Sequence, residues 1–148
     1  MKSFSDIAHL SGLKRTKGFN NYFSNQIFDG ISLGGKRLLD IGGGNGLASF
    51  WCILEGGCWE ATVLDPFDDG SHKKMQEQFQ IMKNESGLDK EILLFNGILK
   101  DLGSDRDPFD IVLMHNSVNH IDEAATRKLS ASNEAKKVFL EEFQRGPK

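Results

Sequence analysis

The sequence predicts an α/β fold in which a parallel sheet is flanked by helices. The first observation is the segment from Arg37 to Phe50, where a short apolar run ending in an acid is followed by a glycine-rich turn and a stretch with helical spacing. The second is that three more apolar runs follow, and that helical patterns separate the first three of the four runs, as in a parallel sheet. The third is the continuous apolar run from Ile111 to Met114, which indicates a strand buried on both faces.

Composition narrows the class of protein. The 148 residues have the length of one domain, and their 18 basic and 21 acidic residues give no basic field that would favour nucleic acid. No stretch reaches the roughly 18 apolar residues of a membrane span, and no signal peptide is visible, so we expect no membrane partner and a cytoplasmic location. Cys52 and Cys58 are too few for a disulfide framework and wrongly spaced for zinc, so no metal site is predicted.

Residues 1–36 are predicted to form an N-terminal helical segment ahead of a domain over residues 37–148. Within it, apolar side chains recur at every fourth position, which places them on one helical face. These residues are Phe19, Phe23, Ile27 and Ile31. We expect this face to pack against the sheet.

The turn after the first strand carries the strongest functional signal. Gly42, Gly44 and Gly46 stand at alternate positions behind Asp40. Glycine accepts positive φ and has no Cβ to block a ligand, and the first N–H groups of the following helix point to the same place. We interpret the turn as a nucleotide-like cofactor site, with a tight turn that binds nothing as the alternative.

The remaining elements follow in order. Predicted helices cover Leu47 to Leu54 and Ser71 to Ser86, and predicted strands cover Glu60 to Leu64, Ile92 to Phe95 and Phe109 to Met114. Two further helical patterns come after Asp122. Asp65 ends the second strand 19 residues after Gly46, where a carboxylate can accept hydrogen bonds from two vicinal ribose hydroxyls. A turn cap is the alternative for Asp65.

In order and spacing, residues 38–120 resemble the class I S-adenosylmethionine-dependent methyltransferases, whose first motif reads D-x-G-x-G-x-G. The resemblance implies a Rossmann-like three-layer sandwich with strand order 3-2-1-4 and S-adenosyl-L-methionine as cofactor. It also implies that Asp40 lies near the ammonium of the methionine part, that the glycine backbone at 42, 44 and 46 lines that part, and that Asp65 binds the ribose.

The resemblance implies roles at four more places. Pro66 flanks the adenine ring. Ile98 stands where the family commonly has an acid for the adenine amino group, so either backbone and packing hold the adenine or Asp101 substitutes. His115 and His120 follow the fourth strand, near the transferred methyl group, and are the candidate general bases; local caps are the alternative. The N-terminal helix could also be a lid over the cofactor cleft.

The implied reaction is methyl transfer to an oxygen or nitrogen of an acceptor. The tip after strand four does not read Asn/Asp-Pro-Pro-aromatic, the motif of the family members that methylate nucleic-acid bases or glutamine amides. A small-molecule acceptor is therefore the remaining expectation. The chain ends where the family begins its fifth strand, so we expect strands five to seven to be missing and the fourth strand to lie at an edge that can self-associate.

The alternatives to an active methyltransferase are a truncated module that binds the cofactor without catalysis, and an NAD-binding oxidoreductase. The dinucleotide fingerprint needs a small third residue, where Leu47 or Ser49 stands, and this counts against NAD.

Overall fold

The four strands form one parallel sheet. The computed structural model describes residues 2–13, 16–67, 72–103 and 107–115, so His120 and the helical patterns after Asp122 lie outside the described residues. The strands are β1 (Arg37–Ile41), β2 (Glu60–Asp65), β3 (Ile92–Asn96) and β4 (Ile111–Leu113). Their order is β3-β2-β1-β4, and every pair is parallel, which confirms the predicted fold class and strand order.

The helices lie before and between these strands. The α-helices are α1 (Phe4–Ala8), α2 (Thr16–Tyr22), α3 (Leu47–Leu54) and α4 (His72–Ser86). Two 3₁₀-helices cover His9–Ser11 and Leu99–Asp101, and a π-helix covers Phe23–Ile27. None of the described helices has the length and apolar composition of a membrane span.

Alternation along the strands divides the core into two clusters. Leu38, Val63 and Ile111 point to the face that is covered by all four described α-helices. Leu39 and Val112, one residue further along their strands, point to the opposite face. There the covering side chains among the described residues come from the segment around the second 3₁₀-helix: Leu99, Leu102 and Phe109.

The register places the carboxyl ends of the strands at one edge. Asp40 on β1 lies opposite Val63 on β2 and Leu113 on β4. Asp65 at the end of β2 lies opposite Asn96 on β3. Because the strands are parallel, the loops that follow them gather at this edge, where ligands bind in open α/β sheets.

The N-terminal segment packs through aromatic rings. Its apolar face does not keep the predicted four-residue spacing, because residues Phe23–Ile27 form a π-helix. The π-helix closes on a hydrogen bond from the Phe28 N–H to the Phe23 carbonyl, 2.9 Å, five residues apart. This extra residue brings Phe28 onto Trp51 of α3, with ring centroids 5.6 Å apart and planes 3° from parallel. Ile31 lies beyond the helix, so the predicted face does not extend to it. The rings of Phe23 and Phe28 thus pack on α3, whereas the sequence predicted packing against the sheet.

Strand β4 lies at one end of the described sheet. Its side chains Ile111, Val112 and Leu113 are buried, as expected for a strand covered on both faces. Self-association through its edge stays a prediction.

Candidate functional site

The glycine turn after β1 has the backbone conformation that was predicted for it. Gly42, Gly44 and Gly46 have φ of +69°, +58° and +79°, in the left-handed region that favours glycine. Gly46 is the N-cap of α3, and its carbonyl accepts the first helical hydrogen bond from the Phe50 N–H at 2.9 Å. The turn therefore leads from β1 straight into the N-terminus of α3.

Asp40 lies beneath this turn rather than on its surface. Only 2% of the residue is exposed, and its Oδ2 accepts a hydrogen bond from the Ser49 hydroxyl of α3 at 2.8 Å. A Cβ on Gly43 would lie 2.6 Å from the Asp40 carboxylate carbon, so the carboxylate fills the space that a side chain there would need. Burial raises the pKa of Asp40 to about 6, with a further small rise from Asp65 and an opposing effect of the Ser49 hydrogen bond. Asp40 is therefore mainly ionised at neutral pH, and its predicted role near the ammonium stays a prediction.

Asp65, at the end of β2, ties two backbone segments together. Its Oδ2 accepts from the Gly44 N–H and its Oδ1 from the Phe67 N–H, both at 2.9 Å. Phe67 has φ of +54°, unusual for a residue with a Cβ, and the second hydrogen bond helps to hold it there. The turn cap considered for Asp65 is thus present. Each carboxylate oxygen has a further lone pair, so the ribose role is compatible with these bonds and stays a prediction.

Helix α4 packs against the glycine turn from the side. A Cβ on Gly44 would lie 2.7 Å from the Met75 sulfur, and one on Gly46 would lie 2.9 Å from the Phe79 ring. Gln78 accepts a hydrogen bond from the Asn45 side-chain amide at 3.1 Å. Met75 and Phe79 stand four residues apart, a spacing typical of a helical face that packs in the core. Phe79 is buried there, whereas the half-buried Met75 contacts the turn itself.

The end of β3 carries a carboxylate next to the predicted adenine position. Asp101 Oδ2 accepts from the Ile98 N–H at 2.9 Å, and it would lie 2.9 Å from a Cβ on Gly97. The Ile98 residue itself is 42% exposed. Pro66 is half-buried in the loop after β2. The adenine contacts of Pro66 and Ile98, and the substitution by Asp101, stay predictions.

The end of β4 is joined to the N-terminal segment. His115 Nε2 lies 2.5 Å from the Tyr22 hydroxyl, and the two rings have centroids 5.6 Å apart. Nothing in the local sequence around Tyr22 indicates a partner 93 residues away. The structure brings His115 to the same edge as Asp40, the glycine turn and Asp65.

The edge as a whole suits an elongated ligand with positive charge and hydroxyl groups. Strands β3 to β4 span three inter-strand spacings, or about 14 Å. Two carboxylates, Asp40 and Asp65, lie at the middle of this span, and the N-terminus of α3 follows the turn. The part of the chain that the structure describes holds no cluster of three or more His, Cys, Asp or Glu side chains that could bind a metal.

No family model matches the sequence, and no curated protein matches it. Solved structures do. A proposed S-adenosyl-L-methionine-dependent methyltransferase from Methanococcus maripaludis is similar over 98% of this chain and 73% of its own, with 14% identity and a TM-score of 0.62. The C-terminal domain of precorrin-6Y C5,15-methyltransferase from Rhodobacter capsulatus is similar over 76% of this chain and 62% of its own, with 19% identity and a TM-score of 0.51.

An arsenic(III) S-adenosylmethionine methyltransferase from Chlamydomonas reinhardtii is similar over 87% of this chain and 44% of its own, with 15% identity and a TM-score of 0.51. The chain spans 32%, 62% and 34% of the length of the first three structures that it matches, so only part of their fold is covered. At these identities, the similarity shows a shared fold.

Proposed function

Starting from the Rossmann-like fold that the chain shares with S-adenosylmethionine-dependent methyltransferases, we propose that it binds S-adenosyl-L-methionine and transfers the methyl group to an oxygen or nitrogen of a small-molecule acceptor. The observation that carries the proposal is the hydrogen bond between Asp65 and the Gly44 N–H. It joins the end of β2 to the glycine turn, so that one ligand can contact both.

The charges at the turn fit this cofactor better than a dinucleotide. S-adenosylmethionine carries an ammonium and a sulfonium, both positive, and a ribose with two vicinal hydroxyls. Asp40 lies directly beneath the turn, and Asp65 accepts a hydrogen bond from the Gly44 N–H of the turn. The pyrophosphate of NAD would have to lie beside these two carboxylates, and the like charges would repel each other.

Each predicted residue has a definite task in this proposal. The Asp65 carboxylate accepts hydrogen bonds from the ribose hydroxyls while it retains the Gly44 N–H. Backbone at Gly42, Gly44 and Gly46 lines the methionine part, and Asp40 attracts its ammonium through the turn. Pro66 flanks the adenine ring at the end of β2. Ile98 stands at the position next to the adenine amino group, where backbone and packing hold the ring or Asp101 substitutes for the usual acid.

The bound cofactor supplies an electrophilic methyl group, so the chain mainly positions the reactants and excludes water. A hydroxyl or amine acceptor loses a proton when it is methylated. His115 lies at the end of β4, next to β1, where it can accept that proton. His120, the second candidate base, lies outside the described residues.

The experiment is calorimetric titration of S-adenosylmethionine and of NAD into the purified chain. We expect saturable binding of S-adenosylmethionine and none of NAD. Binding of NAD alone, or of neither compound, would contradict the proposal. Methyl transfer is then assayed with methyl-labelled S-adenosylmethionine and a panel of small hydroxyl and amine compounds.

Binding without transfer is the second candidate function. It is supported by the contacts of Asp65 and Asp40 with the glycine turn, which bear on cofactor binding and not on transfer. The labelled-methyl assay separates the two candidates, because a binding module retains the calorimetric signal and labels no acceptor.

A further inference from the structure

We propose that Tyr22 forms, with His115, a proton-accepting pair in the acceptor half of the site, in which the Tyr22 hydroxyl donates to His115 Nε2 and itself meets the acceptor. The inference rests on the proposed methyl transfer. It adds a residue from the N-terminal segment to a site that is otherwise built from strand ends.

The position of the pair in the sheet assigns it to the acceptor half. In the order β3-β2-β1-β4, Asp65 and Ile98 lie on one side of β1 and His115 lies on the other. If the ribose and adenine lie over β2 and β3, the opposite end of the cofactor points toward β4. The pair therefore lies on the side that the adenosyl part leaves open.

The Tyr22 ring is held in place by its neighbours, so the hydrogen bond to His115 costs little further ordering. Tyr22 is the last residue of α2, and its ring lies 5.7 Å from that of the buried Phe23. Phe23 in turn packs on Trp51 of α3, with 5.9 Å between ring centroids. The Trp51 indole N–H donates to the Asn20 side-chain oxygen at 2.6 Å. The π-helix begins directly after Tyr22, and π-helical turns are frequent at functional sites.

The direction of the hydrogen bond follows from the two groups. A phenol has one proton to donate, and a neutral imidazole nitrogen is a better acceptor than a phenolic oxygen. At 2.5 Å between Oη and Nε2, donation by Tyr22 makes His115 the Nδ1–H tautomer.

The proton balance of the reaction then has a defined route. Methylation turns the acceptor X–H into X–CH₃, the methyl C–S bond is the one that breaks, and one proton is released. That proton passes to the Tyr22 oxygen while the Tyr22 proton passes to His115 Nε2. The phenol ends neutral and the imidazole ends as imidazolium, so the positive charge lost by the sulfonium appears on His115.

The first experiment needs no cofactor. Long-range ¹H–¹⁵N NMR spectra of the labelled chain are recorded at roughly pH 8, above the ordinary histidine pKa of about 6.5. The His115→Gln variant assigns the His115 signals among those of the four histidines. We expect the Nδ1–H tautomer at His115 in the wild type, and a shift toward the Nε2–H tautomer in Tyr22→Phe. His9, which is exposed and hydrogen-bonded to the Leu13 carbonyl, is the internal control and should not change.

The chain has a single tyrosine, so Tyr22 can also be observed directly. The intensity ratio of the tyrosine doublet in the Raman spectrum distinguishes a donating from an accepting phenol. We expect a donor in the wild type and loss of that signature in His115→Phe. An Nε2–H tautomer in the wild type, or a Tyr22 signal that does not change in His115→Phe, overturns the proposal.

The second experiment places the pair relative to the cofactor. We expect Tyr22→Phe to bind S-adenosylmethionine within about twofold of the wild type, because the pair serves the acceptor. A tenfold or greater loss of affinity would assign Tyr22 to the cofactor half and overturn the inference. If the wild type itself does not bind S-adenosylmethionine, the proposed function fails, whereas the NMR result still decides whether the pair exists.

Discussion

The Asp65 carboxylate accepts a hydrogen bond from the Gly44 N–H across 2.9 Å, and this bond connects the end of β2 to the turn after β1. Hydrogen bonds to an ionised carboxylate are stronger than those between neutral groups. The shape of the turn thus depends on a side chain that is also predicted to bind the ligand. A change at Asp65 is therefore expected to affect both the ribose contact and the turn.

Replacing Gly44 by alanine should abolish cofactor binding at a modest cost in stability. Gly44 has φ of +58°, which costs a residue with a Cβ about 1–2 kcal/mol. The new methyl group would also lie 2.7 Å from the Met75 sulfur, so Met75 or the turn must shift at the place that the ligand approaches. The measurements are the free energy of unfolding by urea and the affinity for S-adenosylmethionine by calorimetry.

Gly35→Ala is the matched control for this prediction. Gly35 has φ of +70° and no heavy atom within 4 Å of an added Cβ, and it precedes β1 at the other end of the strand. It has the same backbone strain without the contact that the Gly44→Ala methyl group makes with Met75, so it should lose no more stability than Gly44→Ala and retain full binding. Equal binding by both variants would show that the turn does not contact the cofactor.

Replacing Asp40 by asparagine should change how stability depends on pH. The folded-state pKa of Asp40 is about 6, against 3.8 for the unperturbed group, because burial disfavours the charge. Between pH 4 and 6, the folded wild type therefore binds more protons than the unfolded chain, and its free energy of unfolding falls as pH rises. The asparagine side chain of the variant does not titrate, and its oxygen can still accept from Ser49.

The size of that effect follows from the two pKa values. The stability of Asp40→Asn relative to wild type should rise by about 2 kcal/mol from pH 4 to pH 6 and become level above about pH 7, where the wild-type carboxylate is fully ionised. The variant should nevertheless bind S-adenosylmethionine more weakly at pH 7, because the charge beneath the turn is gone. The measurement is urea unfolding of both proteins at several pH values in this range. A difference in the free energy of unfolding that stays constant with pH would contradict the raised pKa of Asp40.

Replacing Ile98 by aspartate should strengthen cofactor binding. Ile98 is exposed at the end of β3, where the resemblance predicts a carboxylate for the adenine amino group. One added hydrogen bond to a charged group contributes about 1.5–3 kcal/mol, so an affinity gain of about tenfold or more is expected. Asp101→Ala tests the alternative, in which Asp101 already serves this role and its loss weakens binding. Calorimetry of both variants is the measurement, and an Ile98→Asp variant with wild-type affinity would remove residue 98 from the adenine site.

Replacing Phe28 by alanine should destabilise the fold without touching the strand ends. Phe28 is 4% exposed and stacks on Trp51, and truncation of a buried phenylalanine costs about 3–5 kcal/mol. Trp59→Ala is the control, since that residue is 70% exposed and its removal should change stability by no more than about 0.5 kcal/mol. A loss below about 1 kcal/mol for Phe28→Ala, measured by urea unfolding, would mean that the N-terminal segment is not docked on α3.

The elements that could be predicted from the sequence are those with strong local signals. The bounds of α3, Leu47 to Leu54, follow from its apolar spacing and from the glycines on either side. The positive φ at Gly42, Gly44 and Gly46 follows from the alternating glycines. The strand order followed from the family resemblance, because local signals do not determine which strands pair.

The remaining features depend on contacts between distant parts of the chain. The π-helix shifts the apolar face by one residue to dock Phe28 on Trp51, a choice made by tertiary packing and not by the four-residue spacing. Met75 contacts the turn because α4 crosses it, although its spacing equally suits the core. The Tyr22–His115 bond joins residues 93 positions apart and has no local signal at all.

The most direct test of the cofactor site is the affinity of Asp65→Ala for S-adenosylmethionine, compared with that of Asp110→Ala. Both carboxylates accept a backbone N–H, but Asp110 binds that of Arg37 at the opposite edge of the sheet. A lost hydrogen bond to the ribose is expected to cost about 1.5–3 kcal/mol, so Asp65→Ala should weaken binding about tenfold or more, while Asp110→Ala binds like the wild type. Wild-type affinity in Asp65→Ala would contradict the account, because the ligand would then lie away from the carboxylate that holds the glycine turn.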